Sequence, residues 1–291
     1  MQARRLVALF LAAAAALLTP QRADSWGFTA HRLVSRKAVA SLPQPLRSLF
    51  AANSDYLAEH SIDPDLLRAA GQESEGPNHF LDLDAFGAYP FPGIPRIESE
   101  HLARNGKEAL QKGRVPWRVA EVYRELVAAF RAKDPAQALE RAAILGHYVS
   151  DAHVPLHAVV NYDGKDTGQA GVHSRWESEL VDRFERQLEA GTLPSAAVPV
   201  GDPVDATFAI LLDSYSRSRE VLAADRAAAG PNDFADTAED DRYDEAYYSR
   251  YFEREGARLA ARLSAATTGV ASFWTQAWRD AGSPALPAYR F

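Results

Sequence analysis

The sequence predicts an all-α protein folded as a single large multi-helix domain. Apolar residues recur at three- and four-residue spacing along most of the chain, and no convincing set of alternating strands competes with that pattern. Proline stands near helix starts at Pro116 and Pro135, where its missing N–H is harmless. A length of 291 residues suits one helical domain, and neither an internal repeat nor an interdomain linker interrupts it.

Residues 1–25 stand apart from that domain. Arg4 and Arg5 precede an apolar run from Leu6 to Leu18, too short to cross a bilayer, and Pro20 and the small-residue approach Ala23-Asp-Ser25 follow it. This is the pattern of a secretory signal peptide with cleavage after Ser25. The expected mature chain begins at Trp26, comprises residues 26–291, is secreted or periplasmic, carries no stable membrane anchor and is monomeric. Helical periodicity then runs through residues 32–42, 100–112, 116–132, 134–159, 174–190, 202–224 and 240–279. Loops are expected at 82–99, with Pro90, Pro92 and Pro95, and at 161–171, rich in Gly, Asp and Asn. Pro155 falls inside a helical pattern and should end or kink it.

Composition narrows the chemistry. With no cysteine, disulfides and a lipoprotein anchor are excluded, so that bound metal is the available staple. The formal net charge of −7 gives a surface that does not attract polyanions. Bound divalent cations would concentrate positive charge in one place and draw a phosphate there.

The densest cluster of chemical groups is Leu145-Gly-His-Tyr-Val-Ser-Asp-Ala-His-Val-Pro-Leu-His157, followed by His173-Ser-Arg-Trp-Glu177. His147 and Asp151 are four residues apart, which on an α-helix brings both to one face within reach of one ion, and His173 and Glu177 repeat the spacing. Because Pro155 interrupts the helix, His157 need not share their face. Nitrogen and oxygen donors without sulfur suit a catalytic zinc better than a structural one. An isolated His-x-x-x-Asp pair is more often an ion pair or a satisfied hydrogen bond, so the argument rests on the elements together. His153 points away from the face of Asp151 and reads as support for a ligand, while His60 and His101 read as surface residues. Periodicity does not choose between Asp63 and Asp65.

Taken with these clusters, Trp26-Gly-Phe-Thr-Ala-His31, Pro64-Asp65-Leu-Leu-Arg68 and Asn78-His-Phe-Leu-Asp82 resemble the superfamily of zinc-dependent phospholipase C and the S-one/P-one single-strand nucleases. The resemblance runs from Trp26 to about Glu177. It implies an all-α fold with a trinuclear zinc site in a cleft, holding three Zn2+. Asp65, His79, His147 and Asp151 would form one site; Trp26, through its freed α-amino group and carbonyl, with His31 and a bridging Asp151, a second; His157, His173 and Glu177 a third. Asp65 is chosen over Asp63 because the family pattern places the acid before two bulky residues and Arg. Asp65 would also orient the attacking water or take its proton, and the hydrolysis would proceed by water activated on zinc, with inversion at phosphorus.

The resemblance also frames the substrate. The short step from Trp26 to His31 and the string from Asp151 to His157 are closer to the nucleases, whereas the Gly-Gly-Asn loop typical of them is replaced by residues 161–171. Phe80 matches the position on which the nucleases stack a base, which implies binding of single-stranded nucleic acid or 3′-nucleotides. Phospholipase C action on phospholipid headgroups is the alternative, and a non-catalytic zinc-binding protein a third reading. Phe86, Tyr89 and Phe91 are expected to pack their loop on the helices, and Tyr247, Tyr248, Tyr251 and Phe252 to lie in the core.

Overall fold

A computed structural model describes residues 26–230 and 243–291; the expected signal peptide lies outside the described residues. The chain is all-helical. In order come α1 (Phe28–Ala40), α2 (Leu46–Ala52), α3 (Ser54–His60), α4 (Asp63–Ala69), α5 (Glu98–Asn105), α6 (Val115–Ala132), α7 (Pro135–Ala152), α8 (Val172–Ser174), α9 (Leu180–Arg183), α10 (Glu185–Gly191), α11 (Pro203–Ala229) and α12 (Glu245–Asp280). Short 3-10 turns join several of them. Among the described residues the one β-type contact is an antiparallel bridge between Leu81 and Gly113.

Local chemistry sets the boundaries. Asp134 accepts a hydrogen bond from the Gln137 amide at 3.0 Å and caps α7, Asp202 does the same for α11, and Asp244 for α12. The expected helix over 134–159 stops at Ala152, and a separate 3-10 turn, Pro155–Ala158, follows, as Pro155 requires. The span 100–112 also divides: Gly106, at φ +80°, separates α5 from the turn Lys107–Lys112. The span 174–190 is not one helix either, because a π turn at Arg175–Glu179 follows α8 and Phe184 leaves the helical conformation before α10. Helices α2, α3 and α4 are short and closely spaced, which hides their period.

Helix α7 lies at the centre, packed between α6, α12, α3 and α1. Its residues from Leu145 to Ala152 are all buried. Gly146 makes the approach to α12 possible: a β-carbon there would meet the Trp274 ring at 3.2 Å, and the Trp274 indole donates to the Ala142 carbonyl at 2.8 Å. One apolar cluster runs from Trp26 and α1 through Phe130, Leu145 and Trp176 to Val270 and Trp278. Tyr247, Tyr248 and Tyr251 belong to it, and the partly buried Phe252 stacks on Phe184.

Candidate metal centre

Eight short stretches of chain deliver the site. Trp26 lies ahead of α1; His31 comes from α1, Asp65 from α4, His79 from a 3-10 turn, His147 and Asp151 from α7, His157 from the turn after it, His173 from α8 and Glu177 from the π turn. All nine are buried. Three groups within them can hold metal ions: His31 with Asp65 and His147; His79 with His147 and Asp151; and His157 with His173 and Glu177. The spacing-based pairs His147–Asp151 and His173–Glu177 do converge, at 3.1 Å and 2.9 Å between donor atoms.

The separations in the first cluster allow a direct test. His79 Nδ1 lies 2.9 Å from Asp151 Oδ2, 3.0 Å from His147 Nε2 and 3.7 Å from Asp65 Oδ1. His147 Nε2 lies 3.1 Å from Asp151 Oδ2 and 4.0 Å from Asp65 Oδ1. Tetrahedral coordination with bonds of about 2.0–2.1 Å places neighbouring donors about 3.3–3.4 Å apart. These five separations bracket that value, so the donors converge on one space able to take a cation.

Hydrogen bonds behind the rings point the lone pairs the same way. His147 Nδ1 donates to the Ser61 carbonyl at 2.8 Å and His157 Nδ1 to the His79 carbonyl at 3.0 Å, which leaves the Nε2 atoms of both rings as acceptors. His157 Nε2 then faces Glu177 Oε2 at 3.5 Å, acceptor toward acceptor. Both ring nitrogens of His31, Asp151 Oδ1 and both Glu177 oxygens are buried without a hydrogen-bond partner. A buried polar atom with no partner is costly, and a cation would satisfy the lone pairs among these atoms.

Both central carboxylates face two groups. Asp151 turns Oδ2 to His79 and His147 and Oδ1 to His31 at 3.4 Å, as a bridge would. Asp65, assigned by the resemblance to one site, turns Oδ2 to His31 at 3.9 Å as well. The rival acid is occupied elsewhere, since Asp63 pairs with His60 at 2.8 Å. Trp26 is a buried aromatic whose indole donates to the Ser150 carbonyl at 2.8 Å and tilts against Trp176. Its neighbour Gly27 donates to the Glu177 carbonyl at 3.3 Å, so the backbone at Trp26 runs beside the ligand segments.

Electrostatics follow from this burial. Desolvation and the neighbouring His147 hold His31 below the usual histidine range, partly offset by Asp151. Burial pushes the Glu177 carboxyl up to about 8, against the pull of His157. For Asp151 burial acts upward, but His147, His31 and His79 together hold it well below the carboxylate range. His79 is raised to about 9: burial opposes this, and Asp151 and Glu75 outweigh it.

The sequence alone did not reveal Glu75. It is buried, receives a hydrogen bond from the Tyr148 hydroxyl, and sits 3.5 Å from His79 Nε2. Burial alone would raise its carboxyl, yet His79 and Tyr148 bring it down to about 2. Its four-residue spacing from His79 was the available signal, but Gly76-Pro77 between them argued against a helix. His153 does not join the groups; Nδ1 donates to the Val149 carbonyl at 2.8 Å, and burial beside Arg262 lowers it to about 3. His101, expected at the surface, is buried between Phe86 and Trp117, because α5 folds back over the 82–99 loop.

A cleft of about 210 Å³ opens beside the third group, lined by Arg68, Phe80, Asp82, Gln111, Lys112, Tyr162, His157 and His173 among others. Phe80 is half-buried, its backbone fixed by Gly113 at φ +91°, where a β-carbon would lie 2.1 Å from the Phe80 carbonyl oxygen. Burial raises the Asp82 carboxyl to about 6, with Lys112 at 3.7 Å opposing. Phe86 and Phe91 pack inward, and Tyr89 stays 60% exposed against Tyr215.

These features define an all-α protein with a buried histidine–carboxylate cluster able to hold metal ions. No family model matches the chain. A probable serine protease of Bradyrhizobium tropiciagri is 31% identical to it over 106 residues, covering 31% of this chain and 14% of that protein. The chain therefore spans about a seventh of that relative's length. No helix of the described residues is long and apolar enough to cross a membrane.

Proposed function

We propose that this chain is a metal-dependent phosphodiesterase of the zinc phospholipase C and S-one/P-one nuclease type, acting on single-stranded nucleic acid or nucleotides. The observation that carries this reading is the convergence of the Asp65, His79, His147 and Asp151 donors, with a cleft lined by Arg68, Lys112 and Phe80 beside the cluster. Three Zn2+ would be held, as the resemblance assigns them, by Asp65, His79, His147 and Asp151, by His31, Asp151 and the Trp26 terminus, and by His157, His173 and Glu177; the structure itself groups His31 with Asp65 and His147. When bound, such ions supply Lewis-acid stabilisation of phosphoryl charge and lower the pKa of a water nucleophile. The similarity to a protein named as a protease agrees at the level of hydrolysis alone.

The chain's own residues do the rest. Arg68 and Lys112 set positive charge on the cleft wall, where a phosphate meets it in an otherwise acidic protein. Phe80 offers a fixed π-face to an unpaired base. Asp65, with one oxygen toward each of two groups, is placed to orient water or accept its proton. A lipid headgroup is the second reading, favoured by Val160 and Tyr162, 38% and 39% exposed at the cleft.

Elemental analysis of the chain beginning at Trp26 is expected to give close to three zincs, and chelation to abolish bis(p-nitrophenyl) phosphate hydrolysis. Each ion present at a hundred times its Kd adds about 2.7 kcal/mol of stability, so chelation also lowers Tm. Full activity in strong chelator with no bound metal overturns the assignment. Phe80→Ala should weaken cleavage of single-stranded oligonucleotides by about 1–3 kcal/mol while leaving zinc content intact. Efficient cleavage of phosphatidylcholine with oligonucleotides ignored selects the lipid reading instead.

A further inference from the structure

Glu75 is a buried carboxylate that the phosphoester chemistry does not call on. It lies one helical turn before His79, with Oε1 3.5 Å from His79 Nε2. The Tyr148 hydroxyl donates to the same oxygen. Tyr148 follows His147 on α7, and its ring meets the His79 and His147 rings edge-on at 5.6 Å and 5.2 Å. Arg118 from α6 lies over the outer side of the Tyr148 ring at 5.2 Å. The histidine and the carboxylate are thus gripped from α7, with α6 backing the grip.

We propose that Glu75, held in place by Tyr148, is a positioning residue that fixes the ring orientation and tautomer of His79 in the first donor group. The inference rests on the metal reading above. His79 Nδ1 points at Asp151 and His147, so its opposite nitrogen must carry the proton if Nδ1 is to offer a lone pair. Glu75 is the acceptor on that side. Hydrogen bonds of this kind run to about 3.2 Å, and a shift of a few tenths of an ångström in the ring closes the remaining gap. His147 and His157 achieve the same selection through the Ser61 and His79 carbonyls. His79 uses a carboxylate instead, which adds charge behind the ligand and raises its basicity.

Glu75→Ala, Glu75→Gln and Tyr148→Phe variants of the chain starting at Trp26 test this by zinc competition against a chromophoric chelator, with Tm of the metal-stripped proteins measured alongside. Glu75→Ala is expected to raise the Kd of one ion by about 10–100-fold and leave the other two unchanged. Glu75→Gln keeps an acceptor oxygen and should restore most of that affinity, which a merely space-filling role would not require an oxygen to do. Tyr148→Phe, the milder change, should shift the same ion in the same direction by less. Unchanged affinity for every ion in Glu75→Ala overturns the positioning role and leaves the metal reading standing; a parent protein that binds no zinc overturns both. If Glu75→Ala fails to fold, Tyr148→Phe decides: unchanged affinity for every ion overturns the positioning role, and a selective loss at one ion supports it.

Discussion

Asp151→Asn is expected to reduce phosphoester hydrolysis by about three orders of magnitude and to lower the zinc content by more than one ion. The carboxylate turns one oxygen to His79 and His147 and the other to His31, so a single substitution weakens two donor groups. The thousandfold loss corresponds to about 4 kcal/mol of transition-state stabilisation, and removing one member of a buried charged cluster separately costs about 3–5 kcal/mol of stability. The amide also presents an N–H₂ group to atoms that need a lone-pair donor or an anion. Metal analysis and turnover on bis(p-nitrophenyl) phosphate check the result together. A variant that keeps three zincs and normal turnover would remove Asp151 from the centre.

An extra Met-Gly before Trp26 is expected to leave the fold intact, remove one zinc and abolish most of the activity. The indole of Trp26 is anchored through the Ser150 carbonyl and Trp176 in either form, so packing survives. The backbone at Gly27 is closely packed, since a β-carbon there would lie 2.9 Å from Ser178 Cα. A free α-amine, with a pKa near 8, has a lone pair available for a cation, whereas an amide nitrogen does not. Equal zinc content and equal turnover in extended and authentic forms exclude a terminal chelate.

What was legible in the sequence was local. The pairs His147–Asp151 and His173–Glu177 could be read because four residues make one helical turn, although the second pair runs onto a π turn rather than an unbroken α-helix. The break at Pro155 and the all-helical class could be read from proline geometry and apolar period. Tertiary choices could not. Asp63 and Asp65 differ only in which way α4 faces, and that depends on the packing of α7. His101 looked like a surface residue in a polar segment, yet two aromatic rings enclose it. Glu75 stands four residues before His79 across Gly76-Pro77, and its grip by Tyr148, seventy-three residues away in the chain, is a contact no periodicity spans.

The notch at Gly146 acts as a detent. An α-helix advances about 1.5 Å and turns about 100° per residue, so a one-residue slip of α7 along α12 would carry His147 and Asp151 out of reach of His79 and Asp65. Trp274, seated over Gly146 and tied to Ala142, permits a single indexing of the two helices. The placement of His147 and Asp151 is therefore set by an indole on another face of the helix, in the way that a keyway aligns a shaft it does not drive.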